Sequence, residues 1–297
     1  MLTIETRTVK ESAGMNPGQS LSENFTRNRL HYDRVYRYTR IDGIVGRIRD
    51  VAGFLGDATR TDTSWHAMYQ FNLADRLRGK KVLELGSGDG MNALVMAALG
   101  ADVTAVDIAE RCKELLDQGG AALGLRVHAL VGDFLRMDFP ERSFDFVIGK
   151  SFLHHLTHEE EEAYLARVAR LLKDEGEARF FEPAVNSTML DLLRYAVPVP
   201  GRPSMLQRRA FAQWKASDPH PERDNSTGHY MDSGRKFFRE SEYVLIGSIE
   251  RLHRLLPGGR FNRRYRRWAH RVEPSLPRTF RYIAARSQTI IYRGPMR

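Results

Sequence analysis

The sequence predicts an α/β protein: a doubly wound, mostly parallel seven-stranded sheet with a helical N-terminal addition and a cap inserted after the fifth strand. Three observations carry the prediction. Five short apolar runs alternate with helical segments between Lys81 and Glu182, as in strands joined by crossover helices. Three glycines at every second position, Gly86, Gly88 and Gly90, follow the first run. An acidic residue, Asp107, closes the second.

The elements follow in chain order. Residues 1–30 are polar, with Gly14, Pro17 and Gly18, and are expected to begin loosely ordered. Leu30, Val35, Tyr38, Ile41, Ile44, Val45, Ile48 and Val51 then recur at helical spacing as one apolar stripe, interrupted by glycines. The strands are expected at KVLEL (81–85), ADVTAVD (101–107), LRVHALV (125–131), FDFVIG (144–149) and EARFFE (177–182). Helices are expected at MNALVMAAL (91–99), ERCKELLDQGGAALG (110–124) and HEEEEAYLARVARLLK (158–173). Right-handed crossovers bring the carboxyl ends of such strands to one edge, where ligands bind. Six prolines between Pro183 and Pro221 indicate a cap over 183–240. SEYVLIGSI (241–249) and SQTIIYRG (287–294) are the last two strands. The chain thus divides into an N-terminal region (1–77), a core (78–182), the cap (183–240) and a closing part (241–297).

Composition bounds the function. At 297 residues, 42% hydrophobic and 28% charged, the chain reads as a globular protein with a sizeable core. The lone Cys112 precludes an internal disulfide. Residues 1–14 lack a basic start followed by an apolar block, and no long uncharged apolar run occurs. The expected location is therefore cytoplasmic. The net charge of +9 is uneven: residues 251–297 hold 13 Arg, no Lys and one acid, Glu273. That segment is a basic region on a near-neutral body.

Glycines between a strand and a helix let a ligand approach the backbone, where the helix N-terminus offers free N–H groups. Asp107 is placed to accept from the vicinal hydroxyls of a ribose. A dinucleotide site spaces its glycines G-x-G-x-x-G, whereas Met91 stands where that third glycine belongs. The spacing E-x-G-x-G-x-G from Glu84 to Gly90 resembles the class I S-adenosylmethionine-dependent methyltransferases, with their Rossmann-like fold. Across residues 78–182 the order of motifs is similar to that family too. VTAVDIAE resembles its ribose-binding strand end, which implies Asp107 and Ile108 beside the cofactor. VGDF resembles the segment holding the adenine amino group, which implies Asp133 and Phe134. FDFVIGKSFLHHL resembles its fourth strand and turn, and LLKDEGEARFFEP its helix and fifth strand, with LKDEG where the family has LKPGG. The implied cofactor is S-adenosyl-L-methionine. Its ammonium would find Glu84, and its carboxylate the 86–90 backbone, Ser87 included. Lys150 either faces that carboxylate or is solvated.

Methyl transfer from a sulfonium depends on alignment, and an alcohol acceptor also needs a base. The candidates are His154, His155 and Glu182, histidine being suited by its near-neutral pKa. At least one histidine of LHHL is expected to be architectural. No Asp/Asn-Pro-Pro-aromatic turn follows the fourth strand, against amino-directed nucleic-acid methylation. Cys112 is misplaced for cytosine C5 chemistry. No metal is expected: the fourth strand end lacks clustered carboxylates, and His154 with His155 do not make a zinc site. The aromatics of SWHAMYQF (64–71) either roof the methyl end or pack on the core. The reading is a small-molecule methyltransferase, acting on a hydroxyl of a natural product, sugar, lipid or quinone. RNA or protein methylation through the arginines, and a non-catalytic cofactor-binding relative, are the alternatives. Arg263, Arg264, Arg266 and Arg267 are the expected contact with an anionic membrane or acidic partner.

Overall fold

The computed structural model describes residues 17–199 and 201–297. Residues 1–16, part of the stretch expected to begin loosely, lie outside the described residues. Five helices come first: α1 (Pro17–Tyr36), α2 (Ile41–Ile48), α3 (Val51–Thr61), α4 (Thr63–Met68) and α5 (Leu73–Arg76). The alternating part follows as β1 (Lys81–Leu85), α6 (Met91–Ala98), β2 (Asp102–Asp107), α7 (Glu110–Leu123), β3 (Val127–Val131), β4 (Phe144–Lys150), α8 (His158–Leu171) and β5 (Leu172–Pro183). Beyond it run α9 (Thr188–Ala196), α10 (Arg208–Ala216), α11 (Thr227–Arg235), β6 (Phe238–Ile246), α12 (Arg260–Val272), α13 (Arg278–Ala284) and β7 (Ser287–Pro295).

The seven strands form one sheet in the order β3-β2-β1-β4-β5-β7-β6. Pairings from β3 to β5 are parallel, and β7 is antiparallel to both its neighbours. Strand alternation splits the core into two faces. Phe146 and Ile148 pack with the N-terminal helices and α6, while Val147, Leu83 and Leu85 pack with α8 and α11. α8 starts with a reciprocal cap in which Thr157 and Glu160 bond each other's backbone N–H.

Two expectations need correction. The stripe through α1 does not face the core, because Leu30 and Tyr38 are 55% and 83% exposed and Val35 is exposed as well. The inward face of α1 is polar instead: Asn24 and Asn28 are buried, and Tyr32 and Tyr36 continue the same four-residue row. The apolar stripe begins only at α2, where Ile44, Val45 and Ile48 are buried. The sixth strand starts at Phe238, three residues earlier than its apolar run suggested, because hydrogen bonding to β7 continues past the apolar residues.

Candidate active site

The sheet order reverses at β1, and the carboxyl ends of β1, β2 and β4 open onto a cavity of about 730 Å³. That is the crevice where open α/β sheets hold ligands, and the volume suits a nucleoside-sized molecule with room beyond it. The turn after β1 depends on glycine. Gly86 and Gly88 have φ of +71° and +57°, and a Cβ would meet the Phe152 ring at 2.6 Å or the Tyr36 hydroxyl at 2.9 Å. Gly90 does not line the cavity. It is the residue before α6, with φ +77°, so its part is to shape the turn.

Glu84 and Ser87 stand out. Glu84 is fully buried on β1, and its Oε1 accepts from Asn92 Nδ2 at 2.6 Å, Asn92 in turn accepting from the Tyr69 hydroxyl. Its Oε2 and the Ser87 Oγ, both buried at the cavity wall, find no hydrogen-bond partner among the described residues. Such atoms are costly unless a ligand or water completes them. Burial pushes the Glu84 carboxyl up to about 8, against the Asn92 bond and the charge of Lys150.

Asp107 and Ile108 reach the cavity from the end of β2. Asp107 accepts from the backbone N–H of Gly88 at 2.9 Å and of Ala109 at 3.0 Å, so it ties the glycine turn to the next strand. Burial raises its carboxyl, and these bonds oppose the rise. Cys112 lies buried behind it, its thiol pushed up by the same desolvation. Asp133 caps a 3-10 turn over Phe134–Arg136 through Leu135 N–H at 2.9 Å, and both Asp133 and Phe134 line the wall. Lys150 is not solvated: its ammonium lies 4.1 Å from the Trp65 ring centroid, and burial lowers its pKa against Asp62, Asp89 and Glu84. Trp65 and Tyr69 of the SWHAMYQF stretch stack on each other inside the core, and His66 stacks on His270.

A 3-10 turn over Leu153–His155 follows β4. The β4–β5 register sets Lys150 opposite Phe181, which brings Glu182 beneath this turn. Glu182 is fully buried and does not line the cavity, so it cannot meet an acceptor as a base. It accepts from the backbone N–H of Phe152, Leu153 and His154 at 2.9, 2.7 and 3.3 Å, and meets His154 Nδ1 at 2.6 Å. Burial raises its pKa, and the three N–H donors oppose the rise by favouring the carboxylate. An Nδ1–H on His154 donating to that carboxylate leaves Nε2 as the basic nitrogen of the ring. Burial, then the neighbouring His220, lower the His154 pKa, so the ring is neutral at neutral pH.

His155 is held differently. Its Nδ1 donates to Asn28 Oδ1 at 3.2 Å and its Nε2 accepts from the Tyr32 hydroxyl at 2.9 Å, both partners on α1. Asn24 completes this docking, donating to the His155 carbonyl at 3.0 Å and to Glu160 at 2.6 Å. His220, between α10 and α11, brings its ring centroid to 4.8 Å from that of His154 and 4.3 Å from that of His155. Sequence reading missed this third histidine: DPHPE (218–222) carries no periodicity, and only folding brings it to LHH. The α1 residues were missed as well, though N-x-x-x-N-x-x-x-Y-x-x-x-Y from Asn24 to Tyr36 is a legible polar face.

The basic segment is partly spoken for. Arg263 and Arg267 of α12 pair with Asp57, and Arg266 pairs with Glu250. Among the described residues, no helix is long and apolar enough to cross a membrane.

Sheet order, glycine turn and acid at the end of β2 together define the Rossmann-like fold of the class I methyltransferases. Residues 82–176 match the family described as a methyltransferase domain. This part of the chain thus carries both the fold and the family match of a methyltransferase domain. The cypemycin N-terminal methyltransferase of a Streptomyces species is 36% identical over 104 residues, covering 34% of this chain and 41% of that protein. The ubiquinone biosynthesis O-methyltransferase of Bordetella avium is 40% identical over 55 residues, 18% of this chain and 23% of that protein. The chain thus spans less than half the length of these curated relatives. The solved phosphoethanolamine N-methyltransferase 2 of Haemonchus contortus, in complex with S-adenosyl-L-methionine, aligns over 83% of this chain and 57% of its own. That alignment has 14% identity and a TM-score of 0.49.

Proposed function

We propose that the protein transfers the methyl group of S-adenosyl-L-methionine to a hydroxyl oxygen of a small-molecule acceptor, such as a natural product, sugar, lipid or quinone. When bound, the cofactor supplies an electrophilic methyl on a sulfonium. The chain's own residues would hold it. Glu84 Oε2 and Ser87 Oγ, the buried atoms without partners, suit its ammonium and nearby polar groups. The glycine-turn backbone suits its carboxylate, Asp107 and Ile108 its ribose, and Asp133 with Phe134 its adenine.

The observation that carries the oxygen reading is the His154–Glu182 pair at 2.6 Å. A neutral amine needs orientation and little else, whereas a hydroxyl must lose a proton as the bond to carbon forms. His154 lines the cavity and Glu182 fixes its tautomer, so Nε2 is the atom that takes that proton. In this reading residues 183–240, which contribute His220, are the acceptor-side cap. A peripheral contact with an anionic membrane or acidic partner through Arg263, Arg264, Arg266 and Arg267 belongs to the same proposal. The exposed Phe261 and Trp268 on α12 support it. The alternative of RNA or protein methylation has the arginines in its favour and, for a polypeptide amine, the likeness over 104 residues to an N-terminal methyltransferase.

Two measurements test the proposal. Asp107→Ala should weaken S-adenosylhomocysteine binding roughly ten- to a hundredfold by calorimetry, as expected when a buried hydroxyl pair loses its acceptor. A panel of phenols, sugars, lipids and amines, read by mass spectrometry, should yield methylated hydroxyls whose formation falls about 10²–10⁴-fold in His154→Ala. Methylation confined to amines, at a rate indifferent to His154, overturns the oxygen assignment.

A further inference from the structure

The three histidines at the end of the cavity form a set that general-base chemistry does not require. His154 and His155 come from the turn after β4, His220 from the segment between α10 and α11, and one ligand nitrogen of each lies within 4.8 Å of the other two. Zinc held by imidazoles at 2.0–2.1 Å implies nitrogens about 3.3 Å apart. For the nitrogens that lie within 4.8 Å of one another this is a closure of roughly 1.5 Å at most, and His220 must also turn out of its present stack on His154 to present Nε2.

The outer partners are the telling part. Glu182 meets His154 at Nδ1, Asp218 meets His220 at Nδ1, and Asn28 takes the Nδ1–H of His155. Each ring thus has Nδ1 engaged by an oxygen, which fixes the tautomer and presents Nε2. Metal-binding histidines are oriented in this way, by a carboxylate or carbonyl on the nitrogen away from the ion. Three imidazoles packed for their apolar faces alone would need no such oxygen behind each of them.

We propose that His154, His155 and His220 bind one first-row divalent transition ion, with zinc the best match to an all-imidazole set, through their Nε2 atoms. Tyr32 gives up its hydrogen bond to His155 Nε2 when the ion enters. A donor set of nitrogens without oxygen selects zinc, cobalt or nickel over magnesium or calcium. The remaining position faces the cavity and is open to water or an acceptor oxygen; this last role alone rests on the acceptor reading above. With the ion in place the His154 lone pair is occupied, and the metal replaces the imidazole as the group that acidifies a bound hydroxyl.

The test uses full-length, untagged protein freed of metal with EDTA. Titration of zinc against a chromophoric chelator should show one equivalent bound at micromolar or tighter affinity. Cobalt should give the intense visible absorption of a four-coordinate site, and millimolar magnesium should not displace it. His220→Ala should weaken zinc binding by about a hundredfold or more, and Asp218→Asn by about ten- to a hundredfold. Both variants should bind S-adenosylhomocysteine as the wild type does, which shows that they are folded. Failure to bind zinc, or equal affinity in His220→Ala and wild type, overturns the proposal. Loss of S-adenosylhomocysteine binding in the wild type would instead overturn the methyltransferase reading and leave the metal result standing.

Discussion

The buried Glu84 makes cofactor binding a proton-linked event. Its carboxyl sits at about 8 in the ligand-free protein, because burial removes it from water and Asn92 occupies only Oε1. A cationic ammonium set against Oε2 favours the ionised form, so binding must expel the proton. Two pH units below 8 this costs about 2.7 kcal/mol. Affinity for S-adenosylhomocysteine should therefore rise nearly tenfold per unit from pH 6 and level off near pH 8. At higher pH the ligand's own ammonium deprotonates and affinity falls again. Calorimetry in two buffers of different ionisation enthalpy should show close to one proton released per ligand at pH 6.5. Glu84→Gln removes the titrating group and a charge-assisted bond worth about 1.5–3 kcal/mol. The variant should bind roughly ten- to a hundredfold more weakly at pH 8, by the same principle, while matching the wild type near pH 6 and releasing no proton. A flat wild-type profile between pH 6 and 8, with no dependence on buffer, would refute the assignment of Glu84 to the ammonium.

Other consequences follow from the same geometry. The folded state holds the Glu84 proton more tightly than an unfolded chain does, so the contribution of this group to ligand-free stability should be fully present below pH 4.5 and decline as pH rises toward 8; thermal melts of wild type and Glu84→Gln across that range check it. Glu182→Gln should turn an amide N–H toward His154 Nδ1 and move its proton to Nε2, visible in ring ¹⁵N shifts; unchanged shifts would show that Glu182 does not set the tautomer. Glu177 is the partner of the fully buried Arg179, and Glu177→Ala should cost about 3–5 kcal/mol in urea unfolding because it strands that guanidinium. Replacing Arg263, Arg264, Arg266 and Arg267 with glutamine should abolish salt-sensitive co-sedimentation with anionic vesicles and leave S-adenosylhomocysteine affinity alone; vesicles ignored by the wild type would exclude the membrane contact.

The legible part of the molecule is the part whose signals are local. KVLEL followed by three alternate glycines states a strand, a turn and a helix start within ten residues, and Asp107 states the end of the next strand. What could not be read depends on distance in the chain. Glu182 looked like a candidate base because it ends a strand at the ligand edge, and only the β4–β5 register shows it beneath the turn, committed to three backbone N–H groups. The metal expectation depended on counting two adjacent histidines, and His220 arrives from 65 residues away in a proline-rich stretch. Helix α1 was misread because apolar spacing was taken as the sign of an inward face. This helix covers a polar site, so its inward row is Asn24, Asn28, Tyr32 and Tyr36, while Leu30 and Val35 point outward.

That polar inner face decides how α1 behaves as a door. At one end Arg111 holds the Tyr36 and Thr39 carbonyls, the latter at 2.9 Å, and makes a hinge. Along its inner face α1 is latched to the site through Asn24, Asn28 and Tyr32, each by hydrogen bonds that water can replace. A helix seated on an apolar groove would expose that groove on leaving and reseal at once. Here each latch contributes only about 1 kcal/mol net once water is its competitor, so the helix can swing locally while the sheet stays intact. Hydrogen exchange at the backbone of residues 24–36 should therefore be faster than in β1 or β4, and opening of α1 would uncover the cavity wall that Asn24, Asn28, Tyr32 and Tyr36 form.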